Sequence, residues 1–150
     1  MAMQLDWQFI GFEALSSRQL YAILLLRSEV FVVEQECIYQ DMDGTDHEAM
    51  HLVGTQDGRL MAYARCYPPG IRYPEASIGR VITRGELRGS GAGHALMREA
   101  IAKISEQRGP QPIRISAQAH LKDFYAQHGF TVQGDVYDED GIPHLQMLRA

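Results

Sequence analysis

Cysteine is scarce in this chain: of its 150 residues only Cys37 and Cys66 carry a thiol, far apart and outside any C-x-x-C pair. That spacing excludes a disulfide framework and a thiolate metal site, and it fits a reduced, cytoplasmic setting. Positive charge is also short. The formal net charge is -5, which argues against general nucleic-acid binding, because that needs a basic surface to displace counterions from phosphates. No apolar run approaches the ~20 residues that cross a bilayer, and no basic segment followed by an apolar stretch stands at the start. Neither a membrane partner nor a leader is expected. Hydrophobic residues, at 45% of the chain, suffice for one core, so a single domain over residues 1–150 is the expectation.

The charge that is present is segregated. Residues 28–58 hold no Lys or Arg but carry Glu29, Glu34, Glu36, Asp41, Asp43, Asp46, Glu48 and Asp57. Residues 78–98 hold Arg80, Arg84, Arg88 and Arg98 against Glu86 alone. One region suits a cation and the other a phosphate.

Hydrophobic periodicity and turn residues give the order of elements. Residues 7–12 read as a strand, and Ser16 or Ser17 then caps a helix whose apolar pattern runs Leu20, Ile23, Leu24, Arg27, Phe31. Asp41 to Asp46 breaks it. Residues 51–55 and 60–67 form a hairpin about Asp57-Gly58, and residues 77–83 another strand. A polar loop then leads into a helix over residues 92–108, ended by Gly109-Pro110. A β-branched strand (113–117), a short helix (120–128) stopped by Gly129, and two strands (130–137 and 144–148) complete an α/β layer fold.

The strand-loop-helix junction bears the sequence Arg88-Gly89-Ser90-Gly91-Ala92-Gly93-His94. A helix N-terminus offers unpaired N–H groups and the positive end of the macrodipole, and glycines let a phosphate come close. Two nucleotide loops fail here. A Walker A loop needs Gly-Lys-Ser/Thr, but His94-Ala95 follows Gly93, and G-x-G-x-x-G would need glycine at position 94 and an acid near Pro112 and Ile113.

Arg88-x-x-Gly91-x-Gly93 resembles the Q/R-x-x-G-x-G/A signature of the GNAT N-acetyltransferases, and Phe124-Tyr125-x-x-x-Gly129-Phe130 resembles that family's Y-x-x-x-G-F segment. The element order agrees, so the likeness spans nearly the whole chain. The stretches LRSEVFVVEQECIYQDMDGTD, IGRV and EDGIPH look like the ElaA-like branch. The resemblance implies a mixed, mostly antiparallel central sheet flanked by helices. It also implies an acetyl-CoA-dependent N-acetyltransferase that works by direct transfer in a ternary complex, with no metal. By that likeness Arg88, Gly89, Ser90, Gly91, Ala92, Gly93 and His94 hold the CoA pyrophosphate, and Gln118 stands where many members have Asn. Backbone N–H groups of Val81, Ile82 and Thr83 polarise the thioester carbonyl, and Tyr125 serves as general acid.

The amine acceptor, a small molecule or peptide, needs a base to take its proton. Glu34 is the first candidate, with His144 and Glu36 behind it. The acidic stretch favours a cationic acceptor. Arg80 either orients an acceptor carboxylate or pairs with Asp41, Asp43 or Asp46, the pairing being preferred. Both cysteines read as buried apolar residues. A homodimer stays open.

Two rivals are worth testing. His47-Glu48-Ala49-Met50-His51 matches the zinc-peptidase pattern H-E-x-x-H, but Gly44 and Gly54 leave too little room for its helix, and residues 51–53 read as strand. Arg27, Phe31, Asp43 and Asp46 resemble an early segment of acyl-homoserine lactone synthases, whose chains are usually longer and lack such a glycine loop.

Overall fold

A computed structural model describes residues 4–150. Strand β1 (Asp6–Gly11) leads through a 3-10 turn into helix α1 (Ser17–Arg27). Ser16 caps α1 as expected: its hydroxyl accepts from the Gln19 N–H at 3.1 Å while the Gln19 side chain accepts from the Ser16 N–H at 2.8 Å. These two bonds satisfy donors that a helix start otherwise leaves unpaired. The expected continuation of α1 through Phe31 is corrected. Ser28–Glu34 is a π-helix, with the Gln35 and Cys37 N–H groups reaching back five residues to Val30 and Val32. The run Val30-Phe31-Val32-Val33 supplies β-branched and aromatic side chains that crowd an α-helical turn.

Strands β2 (Met50–Gln56), β3 (Arg59–Tyr67) and β4 (Ala76–Thr83) follow, then helix α2 (Ala92–Arg108) and strand β5 (Ile113–Gln118). The last helix is shorter than expected: a 3-10 turn precedes α3 (Lys122–Ala126), and Gly129 closes the segment at φ +89°. Strands β6 (Thr131–Glu139) and β7 (Ile142–Arg149) end the chain.

The seven strands make one sheet in the order β1-β2-β3-β4-β5-β7-β6. Every neighbouring pair is antiparallel except β4 and β5. On one face α2 and α3 bury Leu96, Met97, Ala100 and Tyr125 against Ile78, Ile115, Ala117 and Met147. On the other, α1 buries Ile23 and Leu26 against Val53, Tyr63 and Ile82. Among the described residues no helix is long and apolar enough to cross a membrane.

The sheet is irregular at its centre in two ways. The parallel pair β4–β5 is registered only at Ala76 with Ile113 and Ser77 with Arg114, so the strands part beyond those residues. Within β4, Arg80 sits at φ +50° and the register against β3 slips between Tyr63 and Arg65. That is a β-bulge, which bends the strand and re-aims its backbone groups.

Candidate active site

The parting of β4 from β5 opens a cleft of about 600 Å³. Val81, Ile82 and Thr83 line one wall, and Ile115, Ser116 and Gln118 the other. Past Ser77 the β5-facing edge of β4 has no strand partner among the described residues, so its backbone groups are available to whatever enters. Tyr125, Glu34 and Arg88 also line the cleft.

Tyr125 is 8% exposed and its ring packs edge-on against Phe124 and Phe130. Burial pushes the phenol up to about 12. Its hydroxyl has no hydrogen-bond partner among the described residues, so a protonated donor sits at the cleft wall uncommitted.

Of the glycine loop, Arg88 alone reaches the cleft; Gly89 to Gly91 form the adjoining turn and Ala92 to His94 the start of α2. Gly89 and Gly91 adopt φ +84° and +87°, a left-handed conformation that glycine takes without strain. A Cβ at either position would meet nothing within 4 Å, so the approach is open. Ser90 folds its hydroxyl back onto the Leu87 carbonyl at 2.5 Å and accepts from the Ala92 N–H at 3.3 Å. Gly91 places no side chain over the start of α2. Gly93 has a different reason to be glycine: a Cβ there would stand 3.4 Å from the Phe124 ring. The His94 ring turns away from the cleft, lying 4.7 Å from the Phe124 ring, with its Nδ1 2.9 Å from His128 Nε2.

Glu34 is brought to the cleft already paired. Both its oxygens accept from Arg88, at 2.5 and 2.6 Å. That bond holds its carboxyl below the usual range for as long as Arg88 stays on it. Glu36 does not line the cleft.

The acidic stretch is corrected in part, since Asp41, Asp43 and Asp46 are neutralised inside the protein. Arg27, 0% exposed, bonds Asp41 at 2.9 Å and Asp46 at 2.7 Å. Arg65, 1% exposed, bonds Asp43 and Asp46, each at 2.8 Å. Arg80 takes the expected structural pairing with Asp41 at 2.8 Å, and Arg72 reaches Asp43 at 3.3 Å. Burial opposes ionisation of Asp43 and Asp46, yet the hydrogen bonds from these arginines outweigh it and keep both carboxyls below their usual range. Arg27, Asp43 and Asp46, which suggested a lactone synthase, therefore take part in pinning residues 41–46 to α1 and β3.

The H-E-x-x-H reading fails on geometry. His47 and Glu48 lie in a 3-10 turn and His51 lies on β2. Both ring nitrogens of His51 are engaged, Nδ1 with the Tyr63 hydroxyl at 2.6 Å and Nε2 with the Asp46 carbonyl at 2.9 Å. Cys66 is fully buried and its thiol is pushed up to about 12, which excludes it as a thiolate nucleophile.

One group was only partly foreseen. His144, named among the base candidates, lines the cleft with its Nδ1 2.7 Å from the Ile142 carbonyl and its Nε2 3.2 Å from Glu139. Glu139 also accepts from Ser116 at 3.3 Å, and Ser116 bonds the Tyr137 hydroxyl. The signal lay in the period of two that puts Tyr137 and Glu139 on one face of a strand, but only the β5-β7-β6 order brings Ser116 to them.

A model of the acetyltransferase (GNAT) domain matches residues 11–149. The protein ElaA of Escherichia coli is 42% identical over 147 residues, covering 97% of this chain and 96% of that protein. Its crystal structure superposes with a TM-score of 0.91 over 98% of this chain and all of ElaA. An acyl-CoA N-acyltransferase from Pseudomonas aeruginosa is 43% identical, with a TM-score of 0.93 over 98% of this chain and 100% of that one. A CoA-dependent acyl-homoserine lactone synthase shares the fold, at a TM-score of 0.78 over 97% of this chain and 82% of its own, with 16% identity.

Proposed function

The chain belongs to the GNAT acetyltransferase family, in its ElaA-like branch, and on that footing we propose that it moves the acetyl group of acetyl-CoA to a primary amine by direct transfer in a ternary complex. The observation that carries this is the unpartnered edge of β4 running into an arginine- and glycine-bearing turn at the start of a helix. One edge offers backbone donors to a carbonyl, and the turn offers backbone donors and charge to a pyrophosphate.

When bound, acetyl-CoA supplies an acyl carbon that an amine can attack and a thiolate that can leave. The residues fit that ligand. Gly89 and Gly91 leave the turn unobstructed, and Arg88 adds a guanidinium that can exchange Glu34 for phosphate. The backbone at Val81, Ile82 and Thr83 orients the carbonyl, with the bulge at Arg80 turning that edge into the cleft. The Tyr125 hydroxyl donates to the departing sulfur. With its phenol near 12 and thiols ordinarily near 8.5, Tyr125 acts by donating a hydrogen bond, and solvent completes protonation. Gln118, whose side chain meets Gln35 at 3.4 Å, borders the same space.

The acceptor is a small molecule or peptide bearing a primary amine. Its cationic form is met by Glu139 and Asp140 on the β6–β7 turn, both at the cleft, and not by the aspartates that Arg27 and Arg65 neutralise. Acetyl-CoA at about a hundred times its Kd should raise stability by about 2.7 kcal/mol, a melting shift of roughly 5–10 °C. Thermal melts with and without it test the reading, followed by thiol release against a panel of amines; no shift at saturation would overturn it.

A further inference from the structure

An amine reaches a thioester as a nucleophile only with its lone pair free, so some group must accept a proton beside the acyl carbon. Glu34 is held by Arg88 through both oxygens and is released only when Arg88 turns to a phosphate. The β5-β7-β6 side of the cleft holds the alternative. His144, on β7, pairs in register with Gln118 of β5 and Tyr137 of β6, which puts all three on the cleft face of the sheet.

The one side-chain hydrogen bond of His144 defines its tautomer. The Ile142 carbonyl, 2.7 Å from Nδ1, can only accept, so Nδ1 carries the hydrogen. Nε2 is then a lone pair, and it stands 3.2 Å from a Glu139 oxygen that is an acceptor too. Nε2 therefore presents a free lone pair at the cleft, with a carboxylate 3.2 Å away to pair with the imidazolium once a proton is taken. Ser116, itself bonded to the Tyr137 hydroxyl, holds Glu139 from the side, and the Cys37 thiol donates to the Asp140 carbonyl next to it at 3.2 Å. The His144 side chain is 8% exposed and that of Glu139 46%, so a proton taken inside has an outlet at the rim.

We propose that His144 accepts the proton of the acceptor amine at Nε2 and passes it to Glu139 and solvent, with Glu139 as its positioning partner. The proposal rests on the N-acetyl transfer reading. The amine nitrogen forms its bond to the acyl carbon and gives its proton to Nε2. The carbon–sulfur bond breaks, and the sulfur leaves with the electron pair under the Tyr125 hydrogen bond to be protonated from solvent.

The test has two arms. In the first, nitrogen-15 NMR of the histidine rings in the protein without acetyl-CoA should show hydrogen on Nδ1 of His144. In the neutral ring Nε2 should give the signal of an unprotonated nitrogen; a bare Nδ1, or hydrogen on Nε2 in its place, overturns the assignment. In the second, His144→Gln should lower kcat/KM for the amine about 100-fold at neutral pH and leave the acetyl-CoA Kd within twofold. The deficit should shrink as pH rises and more amine arrives neutral. Glu139→Gln, at a half-exposed side chain, should show the same trend more weakly without disturbing the core. Turnover undiminished by His144→Gln, or a deficit equal at every pH, overturns the proton-acceptor role alone. Acetyl-CoA binding without thiol release for any amine overturns the transfer reading with it.

Discussion

Asp46→Ala should destabilise the protein by about 3–5 kcal/mol, the range for removing one partner of a buried ion pair. A single oxygen of Asp46 accepts from Arg27 at 2.7 Å and from Arg65 at 2.8 Å. These arginines are 0% and 1% exposed, so water cannot replace the carboxylate. Arg27 keeps Asp41 and Arg65 keeps Asp43, which stops the loss from doubling. Arg65 already has an unpartnered Nε among the described residues, so it has little left to re-form with. The expected melting shift is roughly 6–20 °C for a chain of this size. Equilibrium unfolding in urea measures it, with an unchanged m-value showing that the unfolded state is the same. Arg59–Glu86 is the internal comparison: its side chains are 55% and 58% exposed, and Glu86→Ala should cost under about 1 kcal/mol. If Asp46→Ala costs no more than Glu86→Ala, the buried network does not hold residues 41–46 in place.

Tyr125→Phe removes a hydroxyl without a partner among the described residues, so stability and acetyl-CoA affinity should hold while turnover falls by about 10²-fold; steady-state kinetics beside calorimetric titration would show it, and undiminished turnover would remove Tyr125 from the mechanism. Gly91→Ala puts a side chain at φ +87°, which should cost about 1–2 kcal/mol and raise the acetyl-CoA Kd about tenfold by loosening the turn; calorimetry reads both. His51 is buried, and burial places its folded pKa below the ordinary 6.5. The unfolded chain therefore takes up that proton first, and stability should fall as pH drops through about 6.5 towards the lower folded value. Urea midpoints at pH 7.5 and 5.5 should differ more in the wild type than in His51→Gln.

What could be read in advance was local. The Ser16 cap, the Gly91 turn and the strand pattern depend on neighbours within a few residues, so periodicity and capping rules reach them. The π-helical turn at Ser28–Glu34 was missed because periodicity cannot distinguish a helix from its widened form over seven residues. Arg88 reads as a phosphate ligand and Glu34 as a base when each is considered by itself. Their mutual bond spans 54 residues and arises only from where the fold sets the π-helical turn and the loop before α2. Asp41, Asp43 and Asp46 likewise look like a surface for cations until Arg27, Arg65 and Arg80 arrive from three different elements. Net charge over a segment does not tell which charges the fold will cancel.

The two-residue junction between β4 and β5 also bears on how the molecule comes apart. β2 to β4 form a meander that β1 joins at its edge, β5 to β7 form a second ladder, and among the described residues only Ala76 with Ile113 and Ser77 with Arg114 pair the two ladders. Sub-global opening takes the line of fewest hydrogen bonds, and that line is this seam. Amides of residues 78–83 that face it should exchange with solvent deuterium well before those of β2 and β3. A ligand lying along both edges would close the gap as an eighth strand does, so slowed exchange on the two sides at once would register its presence as gained cooperativity between two halves that are otherwise loosely joined.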